Sequence, residues 1–261
     1  MNPLEQALPG FDDFAAQLRL NRLPDSPALR GRRFVLGFAE QRGELAFDDQ
    51  GEARWQGLPL ALAAGGGQAN VVQACAGLFF IDLPLPAAQR QSLVVIIDEQ
   101  RSRALLVHSW LDTERKARGL ASNVGQALHH AGLDGRPAGA PPERSDELIG
   151  KRVLNLYSQD TAVEHVYLNS RWYAYQIHGG VRHGDCDCDE ASYFKLRDQL
   201  YLVSFREKAV DVAIVFVLDT RAWRNTGMAL GEVDGAWFNV PIGAQVRLLS
   251  ETAYPEGISP P

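Results

Sequence analysis

Glu207 ends an apolar strand on the face it shares with Tyr201, Val203 and Phe205, while Leu200, Leu202, Ser204 and Arg206 take the other face of the same two-residue repeat. If the Glu207 face points inward, the carboxylate leaves water for an aromatic-lined space. Its charged form is then disfavoured, and its pKa rises into the range useful for proton transfer. If the face points outward, Glu207 stands at a strand end in water, paired with Arg206 or Lys208. Tyr157 poses the same choice. In phase with Val153 and Asn155, it offers from inside a hydroxyl that can hydrogen-bond a carboxylate or carbonyl; from outside it is an ordinary β-former.

The neighbouring segments alternate in the same way. Tyr173, Tyr175 and Ile177 oppose Trp172, Ala174, Gln176 and His178, and then Gly179, Gly180 and Gly184 break the run as a turn or bulge would. His165, Tyr167 and Asn169 oppose Glu164, Val166 and Leu168, so the adjacent Glu164 and His165 cannot act as a pair. Around Glu207 and Tyr157, the expected lining of a ligand cavity is Tyr175, His178, Tyr173, His165, Tyr167, Tyr201, Phe205 and Thr226. His178, His183, Cys186 and Cys188 also invite a zinc reading, since tetrahedral zinc takes four such ligands. A C-x-C pair is a weaker signal than two C-x2-C knuckles, however. Asp185, Asp187 and Asp189, opposite Cys186, Cys188 and Glu190, read as a solvated acidic face with no EF-hand spacing. The expectation is therefore no metal.

These groups need a scaffold, and the composition can supply one. The chain has 261 residues, of which 46% are hydrophobic and 22% charged, enough for one large domain or two smaller ones. A net charge of -6 with no cluster of Lys and Arg argues against a nucleic-acid groove. No apolar run approaches the roughly 18 residues of a membrane helix. The start, MNPLEQALPGFDDFAAQL, has acidic residues where a secretory signal needs basic ones. Three cysteines, two of them one residue apart, do not form a secreted disulfide framework, so a reducing cytoplasm is the expected location.

Residues 12–20 are predicted as a helix, with Phe11, Phe14, Ala15 and Leu18 at helical spacing and Pro24 closing it, to pack as a lid or plug on a barrel or sheet. From Leu29 onward nearly everything reads as strand, including 31–38, 45–47, 77–83, 92–98, 104–110 and 121–131. The glycine-rich stretch 63–68 reads as a flexible loop, and the Pro- and Gly-rich stretch 134–146 as a linker. Beyond the linker the first half repeats. Residues 29–36 match 149–154, 77–83 match 200–205, and LVVIIDEQR (93–101) matches AIVFVLDTR (213–221), which brings Asp98 and Asp219 into register. Each copy holds about eight short strands, which suits an antiparallel barrel closed on itself without exposed edges. The expected fold is all-β, with two tandem antiparallel barrels and a short N-terminal helix. The expected divisions are 1–28 (helical segment), 29–135 (first barrel), 136–147 (linker) and 148–261 (second barrel).

The runs GKRVL (150–154), EHVYLNS (164–170), LYL (200–202), REK (206–208), TG (226–227) and PIGA (241–244) resemble the C-terminal domain of the MoaF-like proteins, and the first half resembles their N-terminal domain more weakly. The resemblance implies lipocalin-like (calycin) barrels, which hold small, largely apolar ligands in the barrel mouth. GKR (150–152) with Tyr157, YQIHGG (175–180) and KLRDQLYLVSFRE (195–207) are similar to the phenolic acid decarboxylases, single calycin barrels that work without a cofactor. In that family a tyrosine pair on the first strand and an arginine position the substrate carboxylate, and a glutamate handles protons. By this likeness Tyr157 matches one tyrosine and Glu207 the glutamate. Asn155 replaces the other tyrosine, and the arginine is missing, its region taken by HGDCDC (183–188). The likeness thus implies a shared cavity with a changed reaction. A small organic acid or aromatic metabolite would undergo lyase, hydratase or isomerase chemistry, with Glu207 as acid or base and Tyr157 as anchor. The alternative is a non-catalytic carrier or sensor. The partners expected are a small-molecule ligand and a second copy of the chain as a homodimer, with neither nucleic acid nor membrane.

Overall fold

The computed structural model describes residues 11–59, 64–180, 182–233 and 235–258, so the first ten residues of the expected helical segment and Ala63 lie outside the described residues. Helix α1 (Phe11–Gln17) is shorter than its sequence pattern. The chain leaves the helix because Asn21 docks elsewhere, its N–H donating to the Tyr157 carbonyl at 2.9 Å and its Nδ2 to the Leu156 carbonyl at 2.8 Å.

The first half forms β1 (Arg33–Gly37), β2 (Arg42–Phe47), β3 (Glu52–Gln56), β4 (Ala64–Gln68), β5 (Asn70–Cys75), β6 (Leu78–Leu83), β7 (Gln91–Asp98), β8 (Arg103–Leu111), β9 (Val124–Gly132) and β10 (Asp134–Pro137). They make one sheet in the order β4-β3-β2-β1-β9-β8-β7-β6-β5, with β10 pairing β1. Two stretches read as irregular are therefore strand. Residues 64–68 pair with β3 because glycine there leaves room for a ring: a Cβ on Gly65 would meet Trp55 at 2.2 Å. The start of the proline-rich stretch is β10, whose Asp134 is the parallel partner of Val35.

The second half forms β11 (Lys151–Leu156), β12 (Ala162–Tyr167), β13 (Trp172–Ile177), β14 (Cys186–Arg197), β15 (Leu200–Arg206), β16 (Asp211–Asp219), β17 (Arg224–Val233) and β18 (Ala236–Glu251). All pair antiparallel in sequence order, and β18 returns to β11 to close an eight-stranded barrel. The fold is all-β, but only this barrel is closed by hydrogen bonds among the described residues. The reason lies at Ala69. It separates β4, which pairs with β3, from β5, which pairs with β6, whereas β14 runs unbroken between β13 and β15. The repeat is otherwise visible in detail. A bulge at Gln73/Cys75 is answered by one at Lys195/Arg197, and Ser102 and Trp223 both take a positive φ, near 48° and 50°, at the matching turns.

The outer faces of the two sheets pack together through Leu78, Phe80, Ile96 and Leu105 against Leu200, Leu202, Val215 and Val217. At the edge of this apolar layer Arg197 is buried against Asp98, whose side chain is 0% exposed, with Nη2–Oδ1 at 2.6 Å and Nε–Oδ1 at 3.0 Å. Arg197 also donates to the carbonyls of Ala76 and Gly77, so one side chain of the second sheet satisfies three acceptors of the first. No helix among the described residues is long and apolar enough to cross a membrane.

Removing one partner of a buried ion pair strands the other charge in a low dielectric. Asp98→Asn is expected to lower the urea-unfolding free energy by about 3 kcal/mol. Its counterpart Asp219→Asn keeps an oxygen for the turn N–H groups of Arg221 and Ala222, and is expected to cost about 1 kcal/mol.

Candidate functional site

The alternation along β11 to β16 decides what the closed barrel holds inside. Val153 and Asn155 of β11, Val163, His165 and Tyr167 of β12, Tyr173 and Ile177 of β13, and Tyr201, Val203 and Phe205 of β15 all turn inward and are buried. At one end they leave a cavity of about 90 Å³. Its walls include Tyr157, His165, Tyr173, Tyr175, Arg182 and Glu207, and Phe14 and Leu18 of the N-terminal segment close the mouth. That segment seats tightly: Leu18 accepts from the Gly243 N–H at 3.0 Å, and a Cβ on Gly243 would meet the Arg22 Cα at 2.6 Å. The lid expected of the helix thus sits on the closed barrel.

Glu207 follows β15 and faces the cavity. Burial first and the neighbouring Asp189 next push its pKa up to about 8, against the pull of the Arg182 guanidinium. Near neutral pH the carboxyl is therefore mostly protonated and can donate. The acidic face read as solvated is turned inward at Asp189, which is 0% exposed because its strand position pairs with the inward-facing Tyr173. Burial raises the Asp189 pKa, and one oxygen accepts the Lys208 N–H at 2.9 Å. Lys208 also pairs with Asp187 through its ammonium. Two carboxyls held near each other in a dry site cannot both ionise cheaply, which keeps Glu207 neutral.

The other walls are uncharged. His165 is buried among rings, 5.1 Å from Phe205 and 5.5 Å from Tyr173, and burial pushes its pKa down to about 3, so it is neutral. Its Nδ1 has no hydrogen-bond partner among the described residues. Tyr173 stacks on Phe205 with ring centroids 3.7 Å apart. Burial, with Glu207 and Asp189 next in weight, raises the pKa of Tyr175, and burial likewise raises that of Tyr157. Asn155 is buried at the barrel floor, accepting from Asn225 Nδ2 at 2.8 Å and donating to the Val163 carbonyl at 3.2 Å. These two hydrogen bonds hold the Asn155 amide inside the barrel.

Arg182, immediately before the 183–188 stretch, also lines the cavity, a position that the sequence pattern does not single out. It sits in the turn between β13 and β14, and its Nε donates to Asp185 at 2.6 Å. No periodic pattern in the sequence marks a turn residue, and Phe14 and Leu18 stand on the helix expected as a lid, whose distance along the chain left open what it covers.

Five of the ten expected site residues line the cavity: Glu207, Tyr157, Tyr175, Tyr173 and His165. Phe205 and Tyr167 stand one layer behind, against His165. Three expected residues lie elsewhere. His178 faces outward, with Nε2 at 2.7 Å from Glu164, a carboxylate that Arg152 also holds. Tyr201 points inward nearer the other end and donates to Glu147 at 2.5 Å. Thr226 opposes Val217, which packs between the sheets, and so leaves the barrel interior. Cys186 is exposed and His178 is engaged with Glu164; among the described residues no three His, Cys, Asp or Glu side chains are grouped to hold a metal.

Comparison with known sequences bears on this geometry. The MoaF C-terminal domain profile matches residues 142–252 and the MoaF N-terminal domain profile matches residues 6–113. The chain belongs to the MoaF family. Protein MoaF of Klebsiella aerogenes is 28% identical over 257 residues, covering 94% of this chain and 95% of that protein. Among solved structures, a candidate beta-lactamase from Burkholderia vietnamiensis covers 41% of this MoaF-family chain and 100% of its own, at 16% identity and a TM-score of 0.36, too distant to bear on function. The barrel that the MoaF C-terminal profile spans is the one that carries the cavity.

Because the native Glu207 pKa lies above the unfolded value of about 4.3, the folded state binds the extra proton between those values. That stabilisation is complete below the unfolded pKa and is lost as pH rises through about 8. In urea unfolding from pH 5 to 9, Glu207→Gln is expected to gain stability relative to wild type as pH rises. A constant difference would contradict a buried, protonated carboxyl.

Proposed function

We propose that this chain is a small-molecule-binding barrel protein whose closed barrel takes a small organic acid and moves a proton on it without a cofactor. The observation that carries the reading is the shared cavity: a protonated carboxyl at Glu207 and a guanidinium at Arg182 open into one apolar space. Arg182 holds the ligand carboxylate, a task its planar fork suits. Tyr157 and Tyr175 hydroxyls orient the rest of the ligand. Glu207 donates its proton to a developing carbanion or double bond and recovers it later, which is lyase, hydratase or isomerase chemistry.

The cavity of about 90 Å³ is smaller than common ligand sites of roughly 300 Å³ or more. The ligand therefore enters by displacing Phe14 and Leu18 from the mouth. A reducing cytoplasm fits three free thiols at Cys75, Cys186 and Cys188.

The test is incubation of wild type, Glu207→Gln and Arg182→Gln with a cytoplasmic metabolite extract, followed by mass spectrometry of free and protein-retained species. An acid consumed by wild type, retained unchanged by Glu207→Gln and neither bound nor consumed by Arg182→Gln is the expected result. A compound retained but consumed by no form makes the protein a carrier and removes the proton-transfer role.

A further inference from the structure

Behind the cavity wall, between the two sheets, lies a separate groove of about 360 Å³. Its floor follows from strand pairing. On the outer face of β14 and β15 the cross-strand pairs are Glu190 with Arg206, Ser192 with Ser204, and Phe194 with Leu202. The facing ladder of β8 and β9 contributes Val107 and Leu128, which are also cross-strand partners. Gln126 ties the two sides together, accepting from Ser204 Oγ at 2.5 Å and from Arg206 Nη1 at 3.2 Å, and donating to Ser109 Oγ at 3.1 Å. The groove is thus held open by hydrogen bonds between side chains of both sheets.

Its charge is unbalanced. Arg206 comes from β15, Arg115 from the loop after β8, and Arg144 from the connection between the sheets, and all three line the groove. Arg144 is placed by a backbone bridge to Phe194, and its guanidinium lies over that ring, 5.4 Å from the centroid. The one carboxylate in the groove, Glu190, sits 3.4 Å from Arg206 but also 2.7 Å from Arg171. Arg115 Nε donates to the Ser122 carbonyl, and among the described residues no carboxylate lies within 4.0 Å of Arg115 or Arg144. Burial lowers the pKa of Arg206, Glu190 offsets this, and Arg115 and Arg144 press in the same direction as burial. Gathering like charges in a half-dry crevice costs free energy that an anion would recover. In a chain of net charge -6 the concentration is local, not a general excess of base.

We propose that this groove binds a small organic phosphate ester, its dianion gripped by Arg115, Arg144 and Arg206 and its apolar or aromatic group laid on Phe194, Leu128 and Leu202. Three guanidiniums from three elements match the several oxygens of a phosphate better than the two of a single carboxylate. The apolar floor distinguishes the site from one for inorganic phosphate, since the ester adds buried apolar area.

The probe is phenyl phosphate, titrated calorimetrically into the full chain at low ionic strength, with inorganic phosphate and phenol as comparisons. Saturable binding of phenyl phosphate, tighter than inorganic phosphate, with none for phenol, is expected. Arg115→Gln and Arg144→Gln should each weaken it roughly tenfold or more, as loss of a hydrogen bond to a charged group does. Both positions lie at the groove rim, and thermal unfolding confirms that the variants fold. Glu207→Gln, on the other side of the wall, should bind as wild type does. The proposal is overturned by absent saturation, by equal affinity for inorganic phosphate and phenyl phosphate, or by arginine variants that bind unchanged. Loss of binding in Glu207→Gln would place the phosphate in the barrel and overturn it too.

Discussion

Closure of β11 to β18 on itself buries Val153, Asn155, His165, Tyr167, Tyr173, Val203 and Phe205 on the inner face, and what stands there must be apolar, hydrogen-bonded or uncharged. His165 responds by staying neutral and Asn155 by pairing with Asn225. Glu207, at the end of its strand and beside Asp189, responds by keeping its proton. The chemistry available to the cavity is thus set by the dielectric of a closed sheet more than by any single contact. The first sheet, interrupted at Ala69, follows the same repeat but fills its inner face with Leu45, Trp55, Ile81 and Leu106, and so builds a packed core.

Much of this was legible in the residues because alternation is a local property. The two faces of β12, β13 and β15 are those the sequence pattern shows, and the Asp98/Asp219 repeat falls on matching strand ends. Alternation says which residues share a face, but not which face is inside. That is why Asp189 was assigned to solvent although it is fully buried. His178 illustrates the converse. It belongs to the face opposite Tyr173 and Tyr175, so the pattern already argued against placing it in their cavity, and Glu164 takes it outside. Arg182 lies in a turn, where no period operates, and the helix that closes the mouth comes from the far end of the chain. Residues 64–68 were misread because glycine is depleted in strands, yet here its lack of a side chain is what lets the Trp55 ring lie against the backbone.

The wall between the cavity and the arginine groove is one strand pair thick. Asp189 and Glu190 are neighbours on β14 with opposite faces, and so are Arg206 and Glu207 at the end of β15. Glu207 of the cavity is therefore covalently next to Arg206 of the groove. A shift of β15 along its axis would move both.

The segment that covers the barrel mouth is the first described part of the chain, while one of its seats, Gly243, lies near the last. Ribosomal synthesis therefore delivers the cover long before the rim exists. Phe14 and Leu18 must wait in water, or against something else, until β18 has emerged and the final seam has zipped to β11. A fragment beginning at the second sheet would be a vessel without its stopper, whatever the integrity of its staves.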